Sequence, residues 1–140
     1  MVEMSNKELR RLCYSLEKYP EEYLRRMIRN AEYEYLDKCL IKYHTPPNFL
    51  WICADYLKEN YAIVSKIIKG HYPTLADMIY DLALVVGPQL MENGKIKSMT
   101  VVVALLLVLG KIGFDKVLSK SKDSPDDISD EGKGDEDKLT

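Results

Sequence analysis

The stretch from Ile96 to Leu118 constrains this chain more than any other part of it. Its centre, Thr100-Val-Val-Val-Ala-Leu-Leu-Leu-Val-Leu-Gly110, carries no polar side chain except the threonine. Lys97 and Lys111 bound an uncharged segment of 13 residues, short of the roughly 20 that a membrane span requires. Three consecutive valines suit a buried strand, and periodicity alone does not separate a short buried strand from a buried helix. Length decides: the apolar pattern continues through Ile112, Phe114, Val117 and Leu118, far beyond a strand of roughly 5–6 residues. A helix that is apolar on every side must be wrapped by other helices. The expected fold is all-α, a bundle around a buried central helix at about 96–118.

At 140 residues the chain is long enough for one domain with a single core. The net charge of −2 hides an asymmetry. Residues 119–140 hold eight acids and four lysines, net −4, which leaves 16 bases against 14 acids, net +2, in residues 1–118. Nucleic-acid binding requires a concentrated basic face, so neither part suggests it. The division reads as one helical domain, 1–118, followed by a disordered acidic tail, 119–140. The tail has one Ile, one Leu and no aromatic residue, too little apolar surface to offset its ordering entropy. Cys13, Cys39 and Cys53 lie in apolar patterns without CxxC or His spacing, and are expected as buried thiols of a reducing compartment. Met1–Lys18 is charged and lacks the apolar core of a signal peptide.

Taken in order, Ser5 and Glu8 have capping-box spacing, and Leu9, Leu12, Cys13 and Leu16 form the stripe of a first helix ended by Tyr19-Pro20. Pro20 opens a second helix, expected to run to Tyr43, with Leu24, Met27, Ile28, Ala31 and Tyr35 inward and Glu21/Arg25 and Glu22/Arg26 paired outside. His44-Thr-Pro-Pro47 is a hinge. A third helix is expected from Asn48 to Lys69, since Leu50, Cys53, Ala54, Leu57, Tyr61, Val64 and Ile68 make one continuous helical stripe. A fourth begins at Pro73-Thr74, faces Leu75, Met78, Ile79, Leu82 and Val86 inward, and is expected to end at Gly87-Pro88.

No catalytic pattern emerges. His44 and His71 stand alone beside turns, with no HExxH, DxD or phosphate loop nearby, and the lone serines have no nucleophile elbow. The expectation is a protein that is not an enzyme and needs no metal or cofactor. The ten tyrosines fall mostly at stripe edges, where a half-buried ring with a wet hydroxyl is ordinary.

Two spaced motifs carry a family resemblance. Leu50-Trp-Ile-Cys-Ala54-Asp55 matches the Leu-x-x-x-small-Asp core of a BH3 motif. About 37 residues later, Glu92-Asn93-Gly94-Lys95-Ile96 precedes the apolar helix. This resembles the BH1 signature Asn-Trp-Gly-Arg-Ile that opens the buried central helix of Bcl-2 proteins, with Glu92 and Asn93 in place of the Asn and Trp. Over roughly residues 20–118 the chain is similar to the compact viral-type members of that family, as in poxviruses and iridoviruses.

That resemblance implies a viral inhibitor of apoptosis which sequesters pro-apoptotic BH3 helices, of which Bim is an example, in a hydrophobic groove. The site it implies comprises Gly94, where a ligand helix approaches closely, Lys95 in place of the arginine that pairs with the ligand's aspartate, Asn93, and groove walls from Tyr56, Tyr61, Val64, Met78 and Leu82. Leu50, Ala54 and Asp55 would be the chain's own BH3-like motif. The implied location is the host cytoplasm, peripheral at mitochondria through partners and without a membrane span. The alternatives are a closed-groove adaptor acting on innate immune signalling through a surface or dimer face, and an unrelated helical scaffold. Because the family's later helices are not recognisable, either the first helix or a second subunit must cover the central helix, and a homodimer is expected. Deleting residues 120–140 should leave the melting midpoint within about 2 °C of the full chain in a calorimetric scan, as expected of a segment with no core to contribute.

Overall fold

The computed structural model describes residues 4–38, 47–92 and 94–119. Among them run seven helices and no strand. Helix α1 (Asn6–Glu17) is set by its capping box: Ser5 Oγ accepts from the Glu8 N–H at 3.1 Å, and Glu8 Oε1 accepts from the Ser5 N–H at 3.0 Å. Leu9, Cys13 and Leu16 are buried, with Leu12 packed beside them. Helix α2 (Glu21–Lys38) starts directly after Pro20 and buries Leu24 and Ile28, with Met27, Ala31 and Tyr35 at the edges of the same face. Of the two expected ion pairs, Glu21–Arg25 forms at 2.7 Å, whereas Arg26 lies 5.5 Å over the Tyr23 ring. The hinge through His44 and the continuation of this helix to Tyr43 fall outside the described residues.

The third expected helix is two. Helix α3 (Phe49–Glu59) starts on Asn48, whose Oδ1 accepts from the Trp51 N–H, while Glu32 of α2 accepts from the Phe49 N–H at 2.8 Å. Helix α4 (Tyr61–Ile68) follows after a single residue. Asn60, at φ −114°, ψ 36°, breaks the ladder, and its Nδ2 donates to the Tyr56 carbonyl at 2.9 Å. Asparagine competes with the backbone for such carbonyls, which makes it a poor interior helix residue. The apolar stripe had spanned this break because hydrophobic spacing does not register a one-residue change of axis.

Helix α5 (Leu75–Met91) begins on Thr74, whose Oγ1 accepts from the Asp77 N–H at 3.2 Å. It passes through Gly87-Pro88 instead of stopping there. Part of the penalty for a proline inside a helix is its clash with the Cβ of the residue before it, and Gly87 has none. Leu90, beyond the proline and buried, rewards the continuation. Helix α6 (Met99–Ile112) starts on Ser98, and Gly113 at φ 117° separates it from α7 (Phe114–Leu118). The expected central helix at 96–118 is therefore α6 plus α7, with Ile96 buried in the preceding loop.

Helix α6 is the axis of the bundle. Every side chain from Val102 to Leu109 has zero exposed surface. Its cover comes from α5 and α2 above all, then α1, α3 and α7. Helices α5 and α6 form an antiparallel pair drawn close by two glycines. A Cβ on Gly87 would stand 2.8 Å from the Met99 side chain, and one on Gly110 would stand 3.1 Å from that of Leu75. The single chain thus closes round its central helix, with α1 and α7 in place of a second subunit. The physical motive for a homodimer disappears.

Truncating Leu106 to alanine should cost about 2–5 kcal/mol in urea unfolding, because the surroundings on every side cannot all collapse into the cavity. Gly113→Ala should cost about 1–3 kcal/mol by forcing an L side chain into a left-handed backbone. An unchanged unfolding midpoint for either variant would contradict the central position of α6.

Candidate interaction site

The BH1-like loop lies between α5 and α6. Gly94 has φ 79°, and nothing stands within 4 Å of a Cβ built on it, so a left-handed turn and open space coincide there. Asn93 lies outside the described residues. Lys95 is exposed and already interacts within the chain. With Lys97 and Val101 it borders a surface depression of about 80 Å³ that Glu34, Tyr35 and Lys38 of α2 also line. That volume is well below the roughly 300–1,000 Å³ of ordinary ligand pockets.

The expected groove walls are distributed differently. Tyr56 of α3 is half-buried and near the loop: burial, then the charges of Glu92 and Glu59, raise its phenol above the usual 10.0. Val64 and Leu82 have no exposed surface and belong to the core. Met78 is half-buried, and Tyr61 is 50% exposed, off the buried stripe to which its spacing assigned it. None of Tyr61, Val64, Met78 and Leu82 borders the depression beside Lys95. In the BH3-like motif, Leu50 and Ala54 are buried against the chain's own core, and half-buried Asp55 is engaged within the chain.

A second polar centre lies at the other end of α5. Asp77 is the one buried charged residue among those described, and its carboxylate collects several donors. Arg10 of α1 reaches Oδ1 at 3.1 Å, the Tyr14 hydroxyl donates to the same oxygen, and Thr74 Oγ1 donates to Oδ2 at 2.9 Å. The Arg10 guanidinium also lies 4.1 Å over the Tyr80 ring, where the ring face attracts a cation. The Tyr14 hydrogen bond does most to hold the Asp77 pKa below its ordinary 3.8, against the opposing effect of burial, with Thr74 and Arg10 adding to it. Reciprocally, the bond to Asp77 is the main reason that the Tyr14 phenol is raised above 10.0. The sequence offered only part of this: Thr74 and Asp77 have cap spacing, whereas nothing local shows that Arg10 and Tyr14, 67 and 63 residues away, converge on Asp77.

Cys13 and Cys53 are free thiols, both buried, and burial pushes each up to about 12. Arg10 partly opposes the shift at Cys13 and Asp77 adds to it. Neither thiol is a nucleophile at neutral pH in the folded protein. Cys39 lies outside the described residues. Among those described, no group of three or more His, Cys, Asp or Glu is placed to hold a metal ion, and no helix is long and apolar enough to cross a membrane.

A folded pKa below the unfolded value means that the Asp77 cluster stabilises fully above about pH 4. The contribution is lost as pH falls through the folded pKa. Urea unfolding of wild type and Asp77→Asn should therefore differ at neutral pH, with the variant less stable, and converge as the carboxylate protonates. Parallel curves down to pH 2 would show that Asp77 contributes nothing through its charge.

Compared with family models, with curated proteins and with solved structures, the chain matches none, so what is established of its class is that it is an all-helical bundle.

Proposed function

We propose that this chain is a Bcl-2-like interaction protein that captures an amphipathic BH3-type helix and so restrains apoptosis, without catalysis. The observation that carries the reading is the start of α6: an all-apolar central helix, wrapped by the helices before it, entered through an open glycine turn and an exposed lysine. A glycine lets a ligand backbone come close, and a cation beside it offers a partner for an acidic residue of that ligand. Tyr56, near the same loop, supplies an aromatic edge. Lysine has the charge but not the bidentate fork of arginine, so the ligand range is expected to be narrower than an arginine would give.

The full burial of Val64 and Leu82 favours a second reading. A seam closed at these two residues suits an adaptor of the same build that acts on innate immune signalling through its outer surface. One such surface is the wet face of α2 with the turn before it, where Tyr19 and Tyr23 meet edge to face at 6.1 Å, Arg26 lies over Tyr23, and Tyr33 is exposed. Exposed Tyr and Arg are the side chains most enriched in protein interfaces.

Calorimetric titration of the full chain with a Bim-type BH3 peptide separates the two. Under the first reading the peptide binds, and Lys95→Glu weakens it by roughly 30-fold or more, the effect of turning an attraction into a like-charge contact in a partly desolvated interface. The same substitution should change stability by less than about 0.5 kcal/mol, as for an exposed position. Gly94→Arg blocks the approach sterically, at about 1–2 kcal/mol of backbone strain. Equal binding by wild type and Lys95→Glu would refute the site, and absence of binding by wild type would leave the adaptor reading.

A further inference from the structure

Helix α1 sits on the bundle as a bound ligand helix would. Its anchors Leu9, Leu12, Cys13 and Leu16 fall at i, i+3, i+4 and i+7, the spacing with which an amphipathic helix fills a groove. They rest on α5 and α6. The helix runs antiparallel to α5: Arg10 lies over Tyr80, Tyr14 meets Asp77 one turn earlier, and the Glu17 carbonyl accepts from Lys111 Nζ at the end of α6. A cation and a phenol, four residues apart, thus address one buried carboxylate. Both donors are half exposed, Arg10 by 51% and Tyr14 by 42%, so water has access to replace them.

What α1 covers is more firmly built than α1 itself. It contributes three buried residues, whereas α5 contributes nine and α6 eight. Elements with few buried contacts and solvent-accessible polar links open below the free energy of global unfolding. Three residues, Lys18 to Pro20, join α1 to α2.

We propose that α1 opens as a unit while the remaining bundle stays folded, and that the face it leaves is a binding surface for an amphipathic helix of a partner. The partner helix would carry an arginine or lysine and a hydroxyl four residues apart, beside an apolar stripe spaced as in α1. Asp77 and Tyr80 select the polar pair, and the α5–α6 seam takes the stripe. The resident α1 is the competitor, at a high local concentration set by its short tether. This surface is distinct from the Gly94–Lys95 end, since Asp77 lies in the first turn of α5 and Gly94 beyond its last, with roughly 20 Å of helix axis between Asp77 and the end of α5 at 1.5 Å per residue.

The two buried thiols are built-in reporters: Cys13 on the inner face of α1 and Cys53 in α3, both without exposed surface. In the full chain carrying Cys39→Ser, a small alkylating reagent under native conditions should label Cys13 at least roughly tenfold faster than Cys53, read by peptide mass spectrometry. Asp77→Asn, and the milder Tyr14→Phe, should raise the Cys13 rate severalfold and keep it at least roughly tenfold above the Cys53 rate. A synthetic peptide of residues 4–19 with Cys13→Ser should raise Cys13 labelling saturably by occupying the vacated face. The same peptide with Arg10→Ala and Tyr14→Ala should not. Equal rates at Cys13 and Cys53 in wild type and both variants would mean that α1 departs only on global unfolding, which overturns the opening. Cys13 labelling unaffected by millimolar peptide would overturn the binding surface.

Discussion

Eight successive side chains, Val102 to Leu109, are removed from water on all sides of one helix, and the rest of the structure follows from that burial. At roughly 1.5–3 kcal/mol for each large apolar side chain, these residues dominate the core. They can do so only if neighbours stand in every direction. The tightest neighbour is α5, admitted by the missing side chains of Gly87 and Gly110. The others are α2, α1, α3 and the short α7, turned back by Gly113. A chain with one such helix has little freedom in its architecture, since each remaining amphipathic segment finds its apolar partner in the same place.

Against this apolar background Asp77 stands out. Burying a carboxylate is costly unless its charge and lone pairs are answered, and here Arg10, Tyr14 and Thr74 answer them. Apolar packing alone is tolerant of a helix sliding along its axis. The polar cluster is not, because a displacement by one turn separates Arg10 and Tyr14 from the carboxylate. The position of α1 is therefore set by a few directional contacts, while its attachment comes from the stripe of Leu9, Cys13 and Leu16.

The two ends of α5 have different character. At its C-terminal end, Gly94 faces open space, Lys95 is exposed at the rim of a shallow depression, and Tyr56 lies near Glu92. At its N-terminal end, the carboxylate and the ring of Tyr80 are occupied by the chain's own first helix. Helix recognition of the kind proposed needs an apolar seam and a polar residue that fixes register. The molecule has both elements at its N-terminal end, already filled, and presents the polar part alone at its C-terminal end.

The helical class, the central position of residues 96–118, the cap of α1 and the inward faces of α1, α2 and α5 were legible in the sequence. Each depends on spacing or on contacts within one turn, where chain connectivity places residues together before any tertiary structure exists. The break at Asn60, the passage of α5 through Pro88 and the stop at Gly113 were not, because each is a balance between local propensity and burial that only packing settles. Position 61 shows this: its spacing assigns Tyr61 to the buried stripe, but the change of axis at Asn60 turns it to solvent. That a loop at Gly94 and Lys95 precedes the apolar helix could be read, because the two residues adjoin the helix they introduce. The environment of Val64 and Leu82, and the meeting of Arg10 and Tyr14 with Asp77, were decided by tertiary structure alone, since contacts across more than 60 residues leave no periodic trace in a single chain.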